Sequence, residues 1–342
     1  MPCLLAVPDK FKGTATAGAV AAAMAAGARA CGWAATELPM SDGGEGLLEV
    51  MGGANRRTVV RGPLGAAVTA SWRFEEEASD GSAPATAVIE MSQAAGLVLA
   101  GGRRHNDAVA ASTIGVGELI LSAVAAGARR LVVGCGGSAT TDGGCGALSV
   151  LKGAEALAGA EMIVACDVKA GFVQAAERFA PQKGASPAQV ALLERRLGEL
   201  ADRYEGSFGL DVRHLEGAGA AGGLAGGLAA IGGALVSGFE LVASFLGLGD
   251  RMAAADAVAT GEGSLDDQSF DGKVVGGIAP RRGDLPVLCV AGGATVEGRR
   301  AAAALGLDVV SLSERYGAGE AMARPLELVA DVVAQWLGSL PS

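Results

Sequence analysis

The chain is poor in lysine, histidine and aromatic residues. Six lysines stand among 27 Lys and Arg residues, two histidines occur, and aromatics make up 4% of 342 residues. So few aromatics exclude a protein that stacks bases on aromatic platforms. The formal charge of −10 argues against bulk attraction to nucleic acid or an anionic membrane. The six cysteines include no C-x-x-C pair, and most sit in apolar runs, as buried free thiols do. With His105 and His214 as the histidines, a Cys/His zinc site is not expected. No G-x-x-x-x-G-K-[ST] and no G-x-S-x-G occurs, which removes a Walker A loop and a nucleophile elbow.

What is abundant is glycine, 55 residues, more than twice the usual share of about 7%. No Gly-X-Y period accompanies it, so the glycines belong to turns, helix ends and close backbone approaches. Half the residues are hydrophobic and 19% are charged, which predicts a folded core. The length favours two domains. The uncharged run 217–239 is long enough to span a bilayer, yet nine of its 23 residues are glycine. It reads as a glycine-rich loop followed by a packed internal helix. The apolar run Cys3–Val7 is too short for a signal peptide, so a cytoplasmic location is expected.

The ends of the chain alternate strand, loop and helix. Cys3–Val7 and Thr36–Pro39 read as strands, with a helix between them capped by Thr14 or Thr16 and ending at Ala30. Ala257–Thr260, Val287–Ala291 and Asp308–Leu312 read as strands, and Leu326–Leu337 as a closing helix. This is the βα pattern of a doubly wound parallel sheet in two halves, with the middle inserted. The middle opens with Thr58–Val60, Val68–Phe74 and Ala85–Met91, strands separated by turns that suit antiparallel pairing. It continues through helix 116–126, strand Arg130–Gly134, the glycine loop 136–146, strand Met162–Cys166 and a helix started by Ser186-Pro187. The class is α/β, with a mixed sheet in the insert.

Lys10, Lys12, Lys183 and Lys273 lie in loops beside glycine, where a compact ammonium near backbone N–H groups suits a phosphate. Each is equally readable as a solvated surface lysine. Asp9, Asp42, Asp167, Glu262 and Asp266 stand at or just after the ends of predicted strands, the edge that forms the ligand crevice of open α/β sheets. Helix capping explains one or two of them; five beside lysines suggest a Mg²⁺–phosphate site. The loop 134–144 can nest an anion on successive N–H groups, with Ser138 and Thr140 as further donors, or can be a structural turn. Gly217-Ala218-Gly219-Ala220-Ala221-Gly222 matches G-x-G-x-x-G, but the polar 211–216 segment before it is no strand, so a nicotinamide site is not supported.

Six segments together resemble the bacterial glycerate kinase family. They are Pro8-Asp9-Lys10-Phe11-Lys12-Gly13, Ser41-Asp42-Gly43-Gly44-Glu45-Gly46, the run Gly136–Gly144, Pro181-Gln182-Lys183-Gly184, the run Gly217–Gly223, and Thr260-Gly261-Glu262-Gly263-Ser264-Leu265-Asp266. The resemblance implies an ATP-dependent, Mg²⁺-requiring kinase that phosphorylates D-glycerate to 2-phosphoglycerate, or to the 3-phosphate. It implies a discontinuous Rossmann- or flavodoxin-like domain over 1–57 and 254–342, an inserted α/β domain over 58–253, and an active site in the cleft between them. On that reading Asp167, Lys12 and Lys273 are catalytic, and Asp9, Lys10, Asp42 and Glu45 bind substrate. Gly136, Gly137, Ser138, Thr140, Asp142 and Lys183 hold ATP, and Asp167, Glu262 and Asp266 hold the metal.

The sequence departs from the family pattern in a shortened stretch between about Val150 and Glu161. After Asp167, Lys169-Ala170-Gly171-Phe172 replaces an Asn-Pro-Leu loop. That departure keeps open a catalytically impaired relative that binds a nucleotide or sugar acid.

Overall fold

The computed structural model describes residues 1–152, 154–157 and 159–340. Gly153 and Ala158, inside the shortened stretch, lie outside the described residues. In chain order the strands are β1 (Cys3–Pro8), β2 (Ala34–Glu37), β3 (Arg56–Arg61), β4 (Ala67–Glu75), β5 (Thr86–Glu90) and β6 (Arg130–Gly134). They continue with β7 (Glu161–Ala165), β8 (Ala234–Val236), β9 (Ala257–Leu265), β10 (Val287–Ala294) and β11 (Asp308–Ser311). Two compact units result, 1–42 with 238–342, and 43–237.

The first unit carries a sheet of order β11-β10-β9-β1-β2, parallel throughout. Counted within the unit this is the 2-1-3-4-5 order of a flavodoxin-like sheet, whose ligand crevice lies at the switch point between β1 and β9. The inner strands β1 and β10 and the first half of β9 are apolar because both faces of the sheet are covered there. Helix Ala17–Ala30 starts where the Thr16 side chain accepts from the Ala19 N–H. It packs on helix Pro325–Ser339 so closely that a side chain at Gly27 would collide with the Ala330 carbonyl. Leu4, Val20, Met24, Val290, Val329 and Val333 fill that layer.

The second unit has a mixed sheet of order β3-β4-β5-β6-β7-β8. β3, β4 and β5 pair antiparallel, as the turn pattern predicted, and β5 through β8 pair parallel. Helix Pro187–Phe208 begins with a full capping box between Ser186 and Gln189 and lays Leu193, Leu197, Leu200 and Tyr204 on the core. The uncharged 217–239 run is a glycine-rich loop, a short helix Leu224–Ala230 buried on all sides, and β8. Among the described residues no helix is long and apolar enough to cross a membrane.

Both unit boundaries fall earlier in the chain than the sequence suggests. The segment after Asp42 joins the second unit because its backbone packs on the end of β6: a side chain at Gly134 would meet the Gly43 carbonyl, and one at Gly136 would meet the Gly44 Cα. The segment after Ser237 joins the first unit through Phe239, whose ring fills the space beside Gly277, and through the Glu240–Arg281 ion pair at 2.6 Å. A second difference lies in β9. The Gly261-Glu262-Gly263-Ser264 segment, beyond the strand end at Thr260 read from the sequence, continues the strand and pairs with β10 as far as Leu265. Its glycines serve close approach, since a side chain at Gly261 would strike the Val290 carbonyl.

Candidate functional site

Each unit gathers its own set of the residues singled out in the sequence. In the first unit, β1 ends opposite Gly261, so Asp9 follows one strand end while Glu262 lies one residue beyond that level on β9. Both are therefore at the switch point. Asp9 is buried and accepts from the Lys10 N–H at 2.7 Å; the Lys10 ammonium lies 3.4 Å from Asp9 and 3.7 Å from Asp42. Burial and then the neighbouring Asp42 charge raise the Asp9 carboxyl to about 6, against the pull of Lys10. Burial likewise pushes Glu262 up to about 7, opposed by the Ser269 hydroxyl and Lys273, with Asp9 and Asp266 adding repulsion. Glu262 Oε1 is buried with no hydrogen-bond partner among the described residues.

That orphaned oxygen, in a set of hard carboxylate donors, fits a divalent cation of the magnesium type, which takes one or two carboxylates and completes its shell with water and phosphate. Among the described residues no group of three or more His, Cys, Asp or Glu side chains is arranged as a metal cage, so any cation would depend on substrate oxygens. Asp266 divides its role. Its Oδ1 caps the turn Asp267–Phe270, accepting from the Ser269 N–H at 3.1 Å. Lys273 stands at the start of helix Val274–Ile278, and Lys12 is exposed on the loop after β1.

The second unit holds the glycine loop that follows β6. Gly137 has φ +66°, and a side chain there would collide with the Glu45 carboxylate. Glu45 and the loop are therefore neighbours. The loop is strapped on its other side: Leu97 N–H donates to the Gly137 carbonyl at 2.8 Å and Ala139 N–H to the Ala95 carbonyl at 2.9 Å. The 217–223 segment builds its third wall. Ala221 and Gly222 adopt φ of +53° and +71°, and any side chain at Gly222 would strike the Thr140 carbonyl. The G-x-G-x-x-G match is thus a packing partner of the glycine loop.

Two residues assigned to ATP from the sequence turn inward. Lys183 is 3% exposed, and its ammonium donates to the Thr140 carbonyl at 2.6 Å. Burial lowers its pKa to about 7, with Asp142 pulling the other way. The Asp142 carboxylate accepts from the Thr113 N–H and hydroxyl at 2.9 and 2.8 Å and from the N–H groups of Gly144 and Gly146 at 3.1 and 3.2 Å. Both side chains shape the loop from within: Lys183 is committed to the Thr140 carbonyl, and Asp142 to the Gly144 and Gly146 N–H groups and to Thr113. Asn106 joins them, donating to the carbonyls of Ala139 and Lys183. Gly136, Gly137 and Ser138 remain the anion-nest candidates, while Thr140 is fully buried.

Asp167 follows β7 and accepts from the Ser237 hydroxyl at 2.9 Å. The altered segment after it is firmly anchored. Phe172 is fully buried, edge-on to Tyr204 at 5.9 Å between centroids, and the Ala170 carbonyl accepts from the Gly219 N–H at 2.9 Å. Sequence reasoning missed Glu90 at the end of β5. Its buried Oε1 accepts from the N–H groups of Gly46 and Leu48, each at 2.9 Å, and fixes the 43–48 segment that carries Glu45. The strand-end rule that singled out Asp9 and Asp167 applies to Glu90 equally.

Comparison with known proteins follows the same lines. The model of the glycerate kinase family matches residues 4–155 and 151–339. The chain is 41% identical to an uncharacterised protein of Mycobacterium bovis, covering 99% of this chain and 93% of that one. It is 36% identical to the glycerate 2-kinase of Escherichia coli, covering 85% of each. A crystal structure assigned as glycerate kinase 2 of Salmonella typhimurium LT2 superposes with a TM-score of 0.75 at 31% identity, covering 98% of both chains. The chain belongs to the glycerate kinase family and is an ATP-dependent kinase.

Proposed function

We propose that the chain transfers the γ-phosphoryl group of ATP to D-glycerate and releases 2-phosphoglycerate. The observation that carries the reading is the Asp9–Glu262 pair at the β1/β9 switch point, two carboxylates raised to about 6 and 7 beside Lys10, with one buried oxygen unpartnered. Phosphoryl transfer needs positioning and charge neutralisation more than covalent help. Glu262, with Asp9 and Asp266 beside it, is suited to hold Mg²⁺, which would neutralise phosphate charge during transfer. Lys12 and Lys273 add positive charge for the transferring group. Lys10 offers the glycerate carboxylate a cation, and Asp9 and Asp42 accept from its hydroxyls. In the second unit, the backbone of Gly136–Ser138 receives phosphate oxygens, Glu45 faces the substrate side, and Asp167 accepts the hydroxyl proton.

ADP formation measured over a panel of small hydroxy acids tests the reading. D-Glycerate should be preferred, and turnover should require a divalent metal. Turnover on another hydroxy acid with none on D-glycerate would overturn the substrate assignment. The catalytically impaired alternative predicts ATP or sugar-acid binding with no ADP formed on any of them.

A further inference from the structure

The peptide that joins Glu45 to Gly46 is gripped by a buried carboxylate. Glu90 ends β5 and is 5% exposed. Its Oε1 accepts from the Gly46 N–H and from the Leu48 N–H, each at 2.9 Å, and its Oε2 accepts from the Ser92 hydroxyl at 3.4 Å. The Gly46 N–H belongs to the Glu45–Gly46 peptide unit, which is planar. Holding that N–H sets the plane from which the Glu45 Cα, and with it the Glu45 side chain, departs.

The local sequence does not set that plane by itself. Glu45 lies between Gly44 and Gly46, and Gly43 and Gly46 have φ of +84° and +96°. Glycines bring no side chain to pack and the widest backbone freedom, so such a run is ordered by whatever holds its backbone. On one side Gly43 and Gly44 rest against Gly134 and Gly136. On the other, Leu47 and Leu48 bury their side chains, which seats the turn Leu47–Val50 but leaves the peptide before it to Glu90. The cost of the arrangement points the same way. Burial raises the Glu90 carboxyl above the ordinary carboxylate range, against the Leu48 and Gly46 N–H groups and the Ser92 and Gln93 side chains. An exposed Ser or Asp starts a helical turn without taking a charge out of water. At the far end of these contacts the Glu45 carboxylate stands over Gly137, where an added side chain would collide with it.

We infer that Glu90 is a positioning residue for the acceptor side of the kinase reaction: through the Glu45–Gly46 peptide it holds the Glu45 carboxylate beside the Gly136–Ser138 loop, where Glu45 orients the hydroxy acid. Glu90 acts at one remove, its Oε1 being spent on the two N–H groups. The inference rests on the placement of Glu45 on the substrate side in the reading above. A misplacement of about 1 Å in a site costs on the order of 10²-fold in rate, so loss of the grip is measurable.

The test is a double-mutant cycle on the full chain, with Glu90→Met, Glu45→Ala and the two combined, and with Glu90→Gln beside them. Methionine keeps the volume and removes both acceptors; glutamine keeps one oxygen for the two N–H groups. Kinetics are measured on the hydroxy acid that the parent turns over fastest, so the outcome does not depend on that acid being D-glycerate. Glu90→Met should raise the KM for the acid and lower kcat/KM by about 10–100-fold. Glu90→Gln should restore most of the loss, and the double variant should be no worse than the poorer single one, as for residues that act through one another. A merely structural Glu90 would lower kcat by reducing the folded fraction and leave KM unchanged. Amide exchange gives a readout without turnover: protection at Gly46 and Leu48 should fall in Glu90→Met and survive in Glu90→Gln. Where Glu90→Met does not fold, Glu90→Ala, which leaves room for water on the freed N–H groups, takes its place. The inference is overturned by an unchanged KM in that variant, by losses that multiply in the double variant, or by unchanged exchange at Gly46 and Leu48. A loss in Glu45→Ala with none on replacing Glu90 removes Glu90 and leaves the kinase reading standing. Parental kinetics in Glu45→Ala remove the role given to Glu45 and this inference with it, while turnover of another acid but not D-glycerate removes the substrate assignment alone.

Discussion

Replacing Lys183 by methionine separates a lysine that shapes the glycine loop from one that holds ATP. The substitution keeps the volume and removes a buried donor to the Thr140 carbonyl at 2.6 Å. Losing that hydrogen bond and leaving the carbonyl unpaired should cost about 1–3 kcal/mol. For a unit of this size that is a fall of roughly 2–12 °C in melting temperature. The pH dependence gives a sharper signature. The lysine pKa is lowered to about 7 in the folded chain from 10.5 in the reference state. Between those values the unfolded chain binds more protons, so the lysine's contribution to stability rises with pH. Below about pH 7 the ammonium is charged in both states, and its burial penalty is present in full. Melting curves at pH 6 and pH 9 should therefore show Lys183→Met closer to the parent at pH 6 and further below it at pH 9. Equal stability at both pH values, with a selective loss of ATP affinity, would refute the inward role.

Glu262→Gln tests the cation reading without turnover. Because the Asp9 and Glu262 carboxyls are raised to about 6 and 7, Mn²⁺ or Mg²⁺ binding should strengthen as pH rises through that interval and level off above it. The variant should bind more weakly and lose the upper step; an unchanged pH profile would take Glu262 out of the metal site. Asp167→Asn should lower kcat by about 10²–10⁴-fold, the usual contribution of a general base, without altering the melting temperature. Lys12→Ala should reduce kcat far more than it raises KM, as for a contact made mainly in the transition state. Gly222→Ala should destabilise the second unit by about 2–4 kcal/mol, combining a left-handed backbone with a collision at the Thr140 carbonyl, and wild-type melting would show that the loops can separate.

Local pattern carried much of the fold. The alternation of apolar strands with alanine-rich helices is visible in the chain, as are the Thr16 cap and the Ser186–Gln189 box, because these depend on neighbours a few residues away. The strand order of each sheet is not, since register between β1 and β9 joins residues some 250 positions apart. The unit boundaries were displaced for the same reason. Gly43 and Gly44 belong with β6 through backbone contact, and glycine has no side chain whose polarity could announce it.

The candidate site divides similarly. Acidic residues at strand ends are legible, and Asp9 and Glu262 stand together at the switch point. Lys183 illustrates the limit of the approach. A lysine beside glycine in a loop reads as a phosphate ligand, yet the same signature fits a lysine folded inward to meet a carbonyl. Asp142, Glu90 and Asn106 share the difficulty, because each is fixed by backbone groups that come from distant loops. Phe172 shows the converse. The segment after Asp167 departs from the family pattern, but its aromatic ring is held in the core between Tyr204 and the glycines at 143, 223 and 226.

The most direct test of the central claim is the identity of the product. Chain incubated with ATP, Mg²⁺ and D-glycerate is coupled to enolase, once alone and once with phosphoglycerate mutase. The account predicts phosphoenolpyruvate from enolase alone, as a 2-phosphate product requires. Phosphoenolpyruvate only in the presence of the mutase would place the phosphate on the 3-hydroxyl and contradict the assigned position, and no ADP at all from D-glycerate would contradict the kinase reaction itself.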